Sequence, residues 1–421
     1  MAAEVAAPSL GSRLGVSRPM ALILFTIFLD LLGIGLIFPI GPFYAAAFGA
    51  NAFDVGLLFT SYSVAQFLTI PILGAVSDRL GRRPILLACI AGEAVGYLLF
   101  GAANSLAVVY VSRLVAGAAA GNIGAAQAYM ADITRPRERT RSFGLLGAAV
   151  SVGFLFGPVV GGFLGGINLR LPAFVAAGLV VLNFVSAIVW LPESLPSERR
   201  TQVSLAAGIN PFGVLVTLLR RPLLRGPLVA TFLCNFAFSG YLATFALFAS
   251  ARFGWGPENV AIVLVVQAAL SIIIQTFGVR RLSEVLPDTT IVQLGAALSL
   301  LGFLVIALAP SPWFLYLVSA PLHAGGSSLW RSSLNSLITK LVAGHEQGMA
   351  NGGSQASSAL ATIVGPMWAG ASFEQLGTAS PFLAGAAMFG LAGLTIATAV
   401  RRQPRLRLSP RSEARGDAFS H

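Results

Sequence analysis

Between Gly74 and Pro84 the chain places four charges and two glycines, Gly74-Ala75-Val76-Ser77-Asp78-Arg79-Leu80-Gly81-Arg82-Arg83-Pro84. On either side lies an apolar run, residues 55–73 without a charge and residues 85–103 interrupted only by Glu93. A helix crosses ~30 Å of hydrocarbon in about 20 mostly apolar residues, and each flanking run has that length. The same alternation of long apolar runs with short charged or Pro/Gly breaks continues along the 421 residues. A soluble domain can bury one such run but not a dozen. Only 10% of the chain is charged against 56% hydrophobic, whereas soluble domains carry roughly 25% charged residues. Lipid is therefore the solvent for most of this chain.

Taking each break as a boundary gives spans near 20–43, 55–74, 84–103, 106–131, 142–166 and 171–191. A second set falls near 226–250, 258–278, 289–309, 312–339, 348–372 and 378–400. The segment 212–221 is too short to span and is expected to lie at the interface as an amphipathic helix. The expected organisation is a short tail (1–19), a six-helix bundle (20–191), a central loop with the interfacial helix (192–225), a second six-helix bundle (226–400) and a basic tail (401–421).

The charge pattern orients the spans. With the N-terminus in the cytoplasm, 23 of the 27 Lys and Arg residues fall on that side. Arg170 and Arg252 fall on the other side, and Arg113 and Arg331 lie inside spans. That asymmetry is the positive-inside pattern and puts both tails in the cytoplasm of an inner (plasma) membrane. The formal net charge of +11 is thus explained by anionic lipid headgroups, with no need for a nucleic-acid partner. The two sets also repeat. Pro19 and Pro227, Phe28 and Phe236, Glu138 and Glu346, Gly157-Pro158 and Gly365-Pro366, and Phe174 and Phe382 are each 208 positions apart. An all-α membrane protein of twelve helices in two pseudo-symmetric six-helix bundles follows, with its site between the halves near the bilayer midplane.

Ionisable groups inside spans are costly and face a cavity or a partner. Asp30 lies midway along the first span and Glu93 midway along the third. An acid away from water favours its neutral form, which suits a group that takes up and releases a proton. Arg113, one turn into the fourth span, cannot shed its charge and is expected to pair with a carboxylate, Asp30 being the candidate. Gln66, Asn122, Gln127, Asn235, Gln275, His323, Arg331 and Gln355 are the candidate cavity residues. In the fifth span, Gly153, Gly157, Gly161 and Gly162 permit close helix approach. Pro158 kinks the helix there, so this segment is a candidate pivot between the halves. Asp78 is placed to face the N-terminus of the eleventh span, and Arg82 to meet Asp132. Cys89 and Cys234 sit in apolar runs as small hydrophobes. No HExxH, P-loop or complete GxGxxG is present, so neither an enzyme nor a metal site is expected.

Gly74-x-x-x-Asp78-Arg79-x-Gly81-Arg82-Arg83 resembles the loop 2–3 signature of the major facilitator superfamily. The Gly153-to-Gly162 segment resembles the fifth-span signature of its proton-driven drug antiporters. Leu29-Asp30 through Pro39, Arg113-Leu114-Val115-Ala116-Gly117, Ala128 through Thr134 and Leu191-Pro192-Glu193-Ser194 are similar to the twelve-span tetracycline-efflux group. The acid typical of the third span in that group would fall at Gly96, with Glu93 one turn earlier. The resemblance implies alternating access and proton-coupled export of a lipophilic cationic or zwitterionic compound. Gly74, Asp78, Arg79, Gly81, Arg82, Arg83 and Asp132 would form the cytoplasmic gate. The alternative is a proton symporter that takes up a sugar or organic acid. The expected partners are a small amphipathic substrate, protons and the bilayer, with a monomeric state and no cofactor beyond the proton gradient.

Overall fold

The computed structural model describes residues 17–135, 138–200, 211–343 and 346–402. Long helices dominate. In the first half they are α1 (Arg18–Ala46), α2 (Ala52–Leu80), α3 (Arg82–Gly101), α4 (Leu106–Ile133), α5 (Arg139–Ile167) and α6 (Leu171–Trp190). In the second they are α7 (Pro222–Phe253), α8 (Pro257–Val285), α9 (Asp288–Leu308), α10 (Ala320–Lys340), α11 (Gln347–Leu376) and α12 (Ser380–Arg402). Ten of these are long and apolar enough to cross a membrane. The other two, α10 and α11, are of spanning length but richer in Gly, Ser and Asn.

Most helices outrun the hydrophobic stretches that announce them. The stretch from Gly74 to Pro84 reads as a tight turn, yet α2 continues through Asp78 and Arg79 to Leu80 and α3 begins at Arg82. Only Gly81 turns, at φ 108°, a backbone conformation that side-chain-bearing residues avoid. Charged residues can extend a helix once it leaves hydrocarbon, so an apolar run gives the membrane depth and not the helix end. α4 breaks at Ala120–Gly121, and α8 holds a π-type turn at Ile274–Gly278. Another such turn, Leu315–Ser319, leads into α10.

The two halves pack alike. In the first, α1 lies on α5 and α6, α3 on α4 and α6, and α2 on α4. In the second, α7 lies on α11 and α12, α9 on α10 and α12, and α8 on α10. The first core is mainly aliphatic, with Ile23, Ile27, Leu36 and Ile40 fully buried. The second is aromatic, with Phe248, Phe303, Phe382, Phe389 and Trp330. The short helix Pro211–Leu219 sets Leu215 and Leu218 into a cluster with Leu224, Leu228 and Ala350 at the basic end of α11.

The halves meet along two seams, α2 against α11 and α5 against α8. Both seams lie toward the end away from the basic loops. There the Ala52 N–H donates to Glu374 (2.6 Å) and the Thr60 hydroxyl to the Ile363 carbonyl (2.7 Å). Gly166 sits against Glu258, and Gly56 against the Pro366 carbonyl. Beyond Thr60, Ser77 alone of α2 is buried. At the basic end, the ion pairs seen among the described residues include Arg82 with Asp78 and Asp132, Arg221 with Glu346, and Lys340 with Asp288, each within one half. The molecule is closed at one end and open at the basic one.

Candidate functional site

Two chambers lie where the halves part. The smaller, about 140 Å³, is lined by Ile34, Phe38, Phe59, Tyr62, Tyr97 and Arg113 of the first half with Ser239, Leu242 and Pro366 of the second. The larger, about 530 Å³, runs toward the basic end between α5 and the α8/α10 pair. Its size is that of a small-molecule pocket. Phe38 and Leu242 line both.

Behind the smaller chamber sits the acid pair. Asp30 and Glu93, 1% and 4% exposed, come from α1 and α3 with their carboxyls within hydrogen-bonding reach of each other. No hydroxyl, amide or guanidinium among the described residues donates to either Asp30 oxygen. Tyr62 and Tyr97 lie within electrostatic range of both acids and also line the chamber. Tyr97 reaches in because α1 has a glycine opposite it, and any side chain at Gly33 would collide with its hydroxyl. An acid at position 96 has no room. A Cβ there would lie 2.8 Å from the Ala116 Cβ and 3.1 Å from its backbone nitrogen, where α3 and α4 touch. Glu93, one turn earlier, turns to Asp30 instead.

Arg113 does not pair with Asp30. It is 5% exposed, its guanidinium lies over the Phe100 ring at 4.5 Å with Tyr97 at 5.9 Å, and its Nε donates to Ser112 at 3.4 Å. Its place on α4 turns it toward the aromatic face of α3, a cation–π setting that takes the place of a salt bridge. One of its terminal nitrogens has no protein partner.

The glycines of α5 face two ways. Cβ atoms at Gly153, Gly157 and Gly161 would meet the α1 backbone at Phe28, Leu32, Gly35 and Leu36. That face binds α5 to α1 inside its own half. Gly162, with Gly166 one turn on, faces Pro257, Ala261 and Glu258 of α8 and belongs to the seam between halves. Pro158 packs on Gly35 and also lines the larger chamber.

At the basic end of the first half, Arg82 contacts Asp78 at 2.6 Å and Asp132 at 3.3 Å. Asp78 therefore does not reach the start of α11; it is half exposed and held by a residue one turn away. The sequence reading passed over the partner that fixes this corner. The Glu193 carboxylate accepts the backbone N–H groups of Arg82 (2.8 Å), Arg83 (3.2 Å) and Leu195 (3.0 Å), which caps α3. Arg83 donates to the Ile188 carbonyl at 2.7 Å. Gly74 has open space around it, and Arg79 ends α2 in its last turn.

Of the candidate cavity residues, Gln275 and Arg331 line the larger chamber. His323 is buried behind it, stacked on Phe238 (5.6 Å) and close to Tyr241 (4.8 Å) and Phe303 (5.2 Å), with both ring nitrogens unpartnered. Asn235 ties α7 to α11 through Ser358, and Asn122 is fully buried at the α4 break. Gln66, Gln127 and Gln355 are on neither chamber wall. Gln267, which accepts from the Tyr241 hydroxyl at 3.0 Å, lines the chamber and was missed. Its signal was spacing: Gln267, Ser271 and Gln275 recur every four residues on α8, as His323, Ser327 and Arg331 do on α10, and such residues share a helix face.

The sequence model of the Major Facilitator Superfamily matches residues 23–318 and 253–420. The chain belongs to that superfamily. It is 30% identical over 386 residues to Multidrug resistance protein 2 of Bacillus subtilis (strain 168), covering 89% of this chain and 94% of that protein. It is 31% identical over 354 residues to the class C tetracycline resistance protein of Escherichia coli, covering 83% and 88%. Among solved structures, the human organic anion transporter MFSD10 (TETRAN) aligns over 90% of this chain and 99% of its own at 25% identity, with a TM-score of 0.68. This superfamily member is therefore a multi-pass membrane transporter and not an enzyme.

Proposed function

We propose that the protein exports an amphipathic compound of the multidrug and tetracycline kind in exchange for protons, across a bacterial inner membrane with the basic end in the cytoplasm. The observation that carries this reading is the Asp30–Glu93 pair, sunk between α1 and α3 beside Tyr62 and Tyr97, which line the smaller chamber. Two like charges in contact away from water repel strongly, which suits the pair to a transferable proton. When the halves close at the basic end and part at the other, the pair becomes reachable from outside and loads. Reversal delivers the proton to the cytoplasm, and each switch moves the cargo the opposite way.

The chamber wall supports an amphipathic cargo. Leu31, Phe38, Phe154, Phe238, Leu242 and Leu264 dominate it, and few polar groups are available for the many hydroxyls of a sugar. The relatives named for multidrug and tetracycline resistance support the same class. The test is tetracycline accumulation in proteoliposomes under an imposed pH gradient. Asp30→Asn should bind tetracycline and fail to concentrate it. Transport equal to wild type would remove Asp30 from the coupling.

A further inference from the structure

We infer that the larger chamber selects a cargo carrying an anionic group, with Arg331 as its counter-charge and Gln267 and Gln275 as the flanking donors. The inference rests on the export reading above and names the chemistry of its substrate.

Arg331 lines the chamber and is exposed to it. Its guanidinium is steadied sideways by two rings, Phe238 at 5.0 Å and Trp330 at 5.2 Å, and it makes no ion pair among the described residues. No Asp or Glu lines the chamber, and the facing stretch of α5 offers Gly147, Val150, Ser151 and Phe154. The titratable groups within electrostatic range of Arg331 are Cys234 and His323, neither of them an acid. The acid pair belongs to the other half and is turned to the smaller chamber.

The neutral polar groups lean the same way. Ser327 and Ser328 donate their hydroxyls to the carbonyls of Ala324 (3.3 Å) and Ser271 (3.2 Å), so those hydrogens are committed. Gln267 accepts from Tyr241 through its carbonyl oxygen, which leaves its amide N–H end for the cargo. Gln275 sits in the π-type turn of α8, exposed to the chamber; such turns recur at functional sites because they re-aim one side chain. The polar set is thus a permanent cation with amide donors and no charged acceptor. A sphere of 530 Å³ is about 10 Å across, close to one Debye length, so salt does not hide Arg331 from any charge inside. A carboxylate or an enolate on an apolar body fits this site. A cation finds only repulsion.

The test uses the full chain purified in detergent, with fluorescence polarisation of two dyes that share a xanthene body. Fluorescein carries a carboxylate and a phenolate; rhodamine 6G has its carboxyl esterified and alkylamino groups in place of the ring oxygens, which makes it a cation. Wild type should bind fluorescein about tenfold or more tighter, the worth of one hydrogen bond to a charged group. Arg331→Gln should erase most of the difference by weakening fluorescein alone, and Arg331→Lys should keep part of it. Equal affinities in wild type, or failure to bind fluorescein, overturns the inference. So does an unchanged preference in Arg331→Gln, or in Arg331→Lys with Gln275→Ala should the glutamine variant not fold. Reconstituting the same protein separates the two readings. Anion preference without proton-driven movement of either dye sinks export and spares this inference; proton-driven export indifferent to Arg331→Gln does the reverse.

Discussion

The two halves share one scaffold and divide the chemistry. Position for position at the 208-residue offset, Asp30 of α1 meets Phe238 of α7, and Glu93 of α3 meets Leu301 of α9. The first half holds two acids in an aliphatic core. The second holds a ring-caged histidine and a chamber-facing arginine in an aromatic one. Duplication gives equivalent positions and does not require equivalent side chains. On the proposed reading, one copy carries the proton site and the other shapes the cargo site.

The strongest test of that division is Glu93→Gln. Proton-driven export should fall at least about a hundredfold, the scale of a lost proton-transfer group, while dye binding in the larger chamber stays. A matching loss of binding would erase the separation. Next is the shared scaffold. Gly157 touches α1 backbone to backbone, and Gly365 touches α7 at Phe236 in the same manner. Leucine at either should cost about 1–3 kcal/mol or more from overpacking, seen as matching drops in thermal midpoint; tolerance at one site alone would break the symmetry. Glu193→Ala removes the α3 cap and should cost about 1 kcal/mol, detectable as a small fall in melting temperature. Arg221→Ala in the second half should do less, since that exposed pair is screened by salt. Smallest in stability is Gly74→Val, where nothing lies within 4 Å. The melting temperature should hold, and a slowing of export without loss of stability would tie the space at Gly74 to closure of the basic end.

How much of this was legible in the sequence depends on the distance over which each feature is encoded. The helices and the duplication are local or periodic, and residues 55–73 or the 208-residue offset display them outright. The acids were visible as costly intruders in apolar runs. Their contact was not, because it depends on which face of α3 turns to α1, and Arg113 was assigned to Asp30 when the ring of Phe100 holds it. Gly96 makes the same point: only the crossing of α3 and α4 at Ala116 reveals that no acid fits there. Glu193 caps a helix that begins 111 residues earlier in the chain, and no pattern of spacing announces such a partner. The α8 and α10 polar stripes were readable at four-residue spacing, but glutamine and serine look unremarkable in helices one at a time.

The α5–α8 and α2–α11 seams are paved with Gly162, Gly166, Ala261, Gly56 and Gly370. Small residues let the backbones meet, and the long side chains that do cross, Glu374 at the Ala52 N–H and Glu258 at Gly166, are the contacts a tilt of one half would have to unpick.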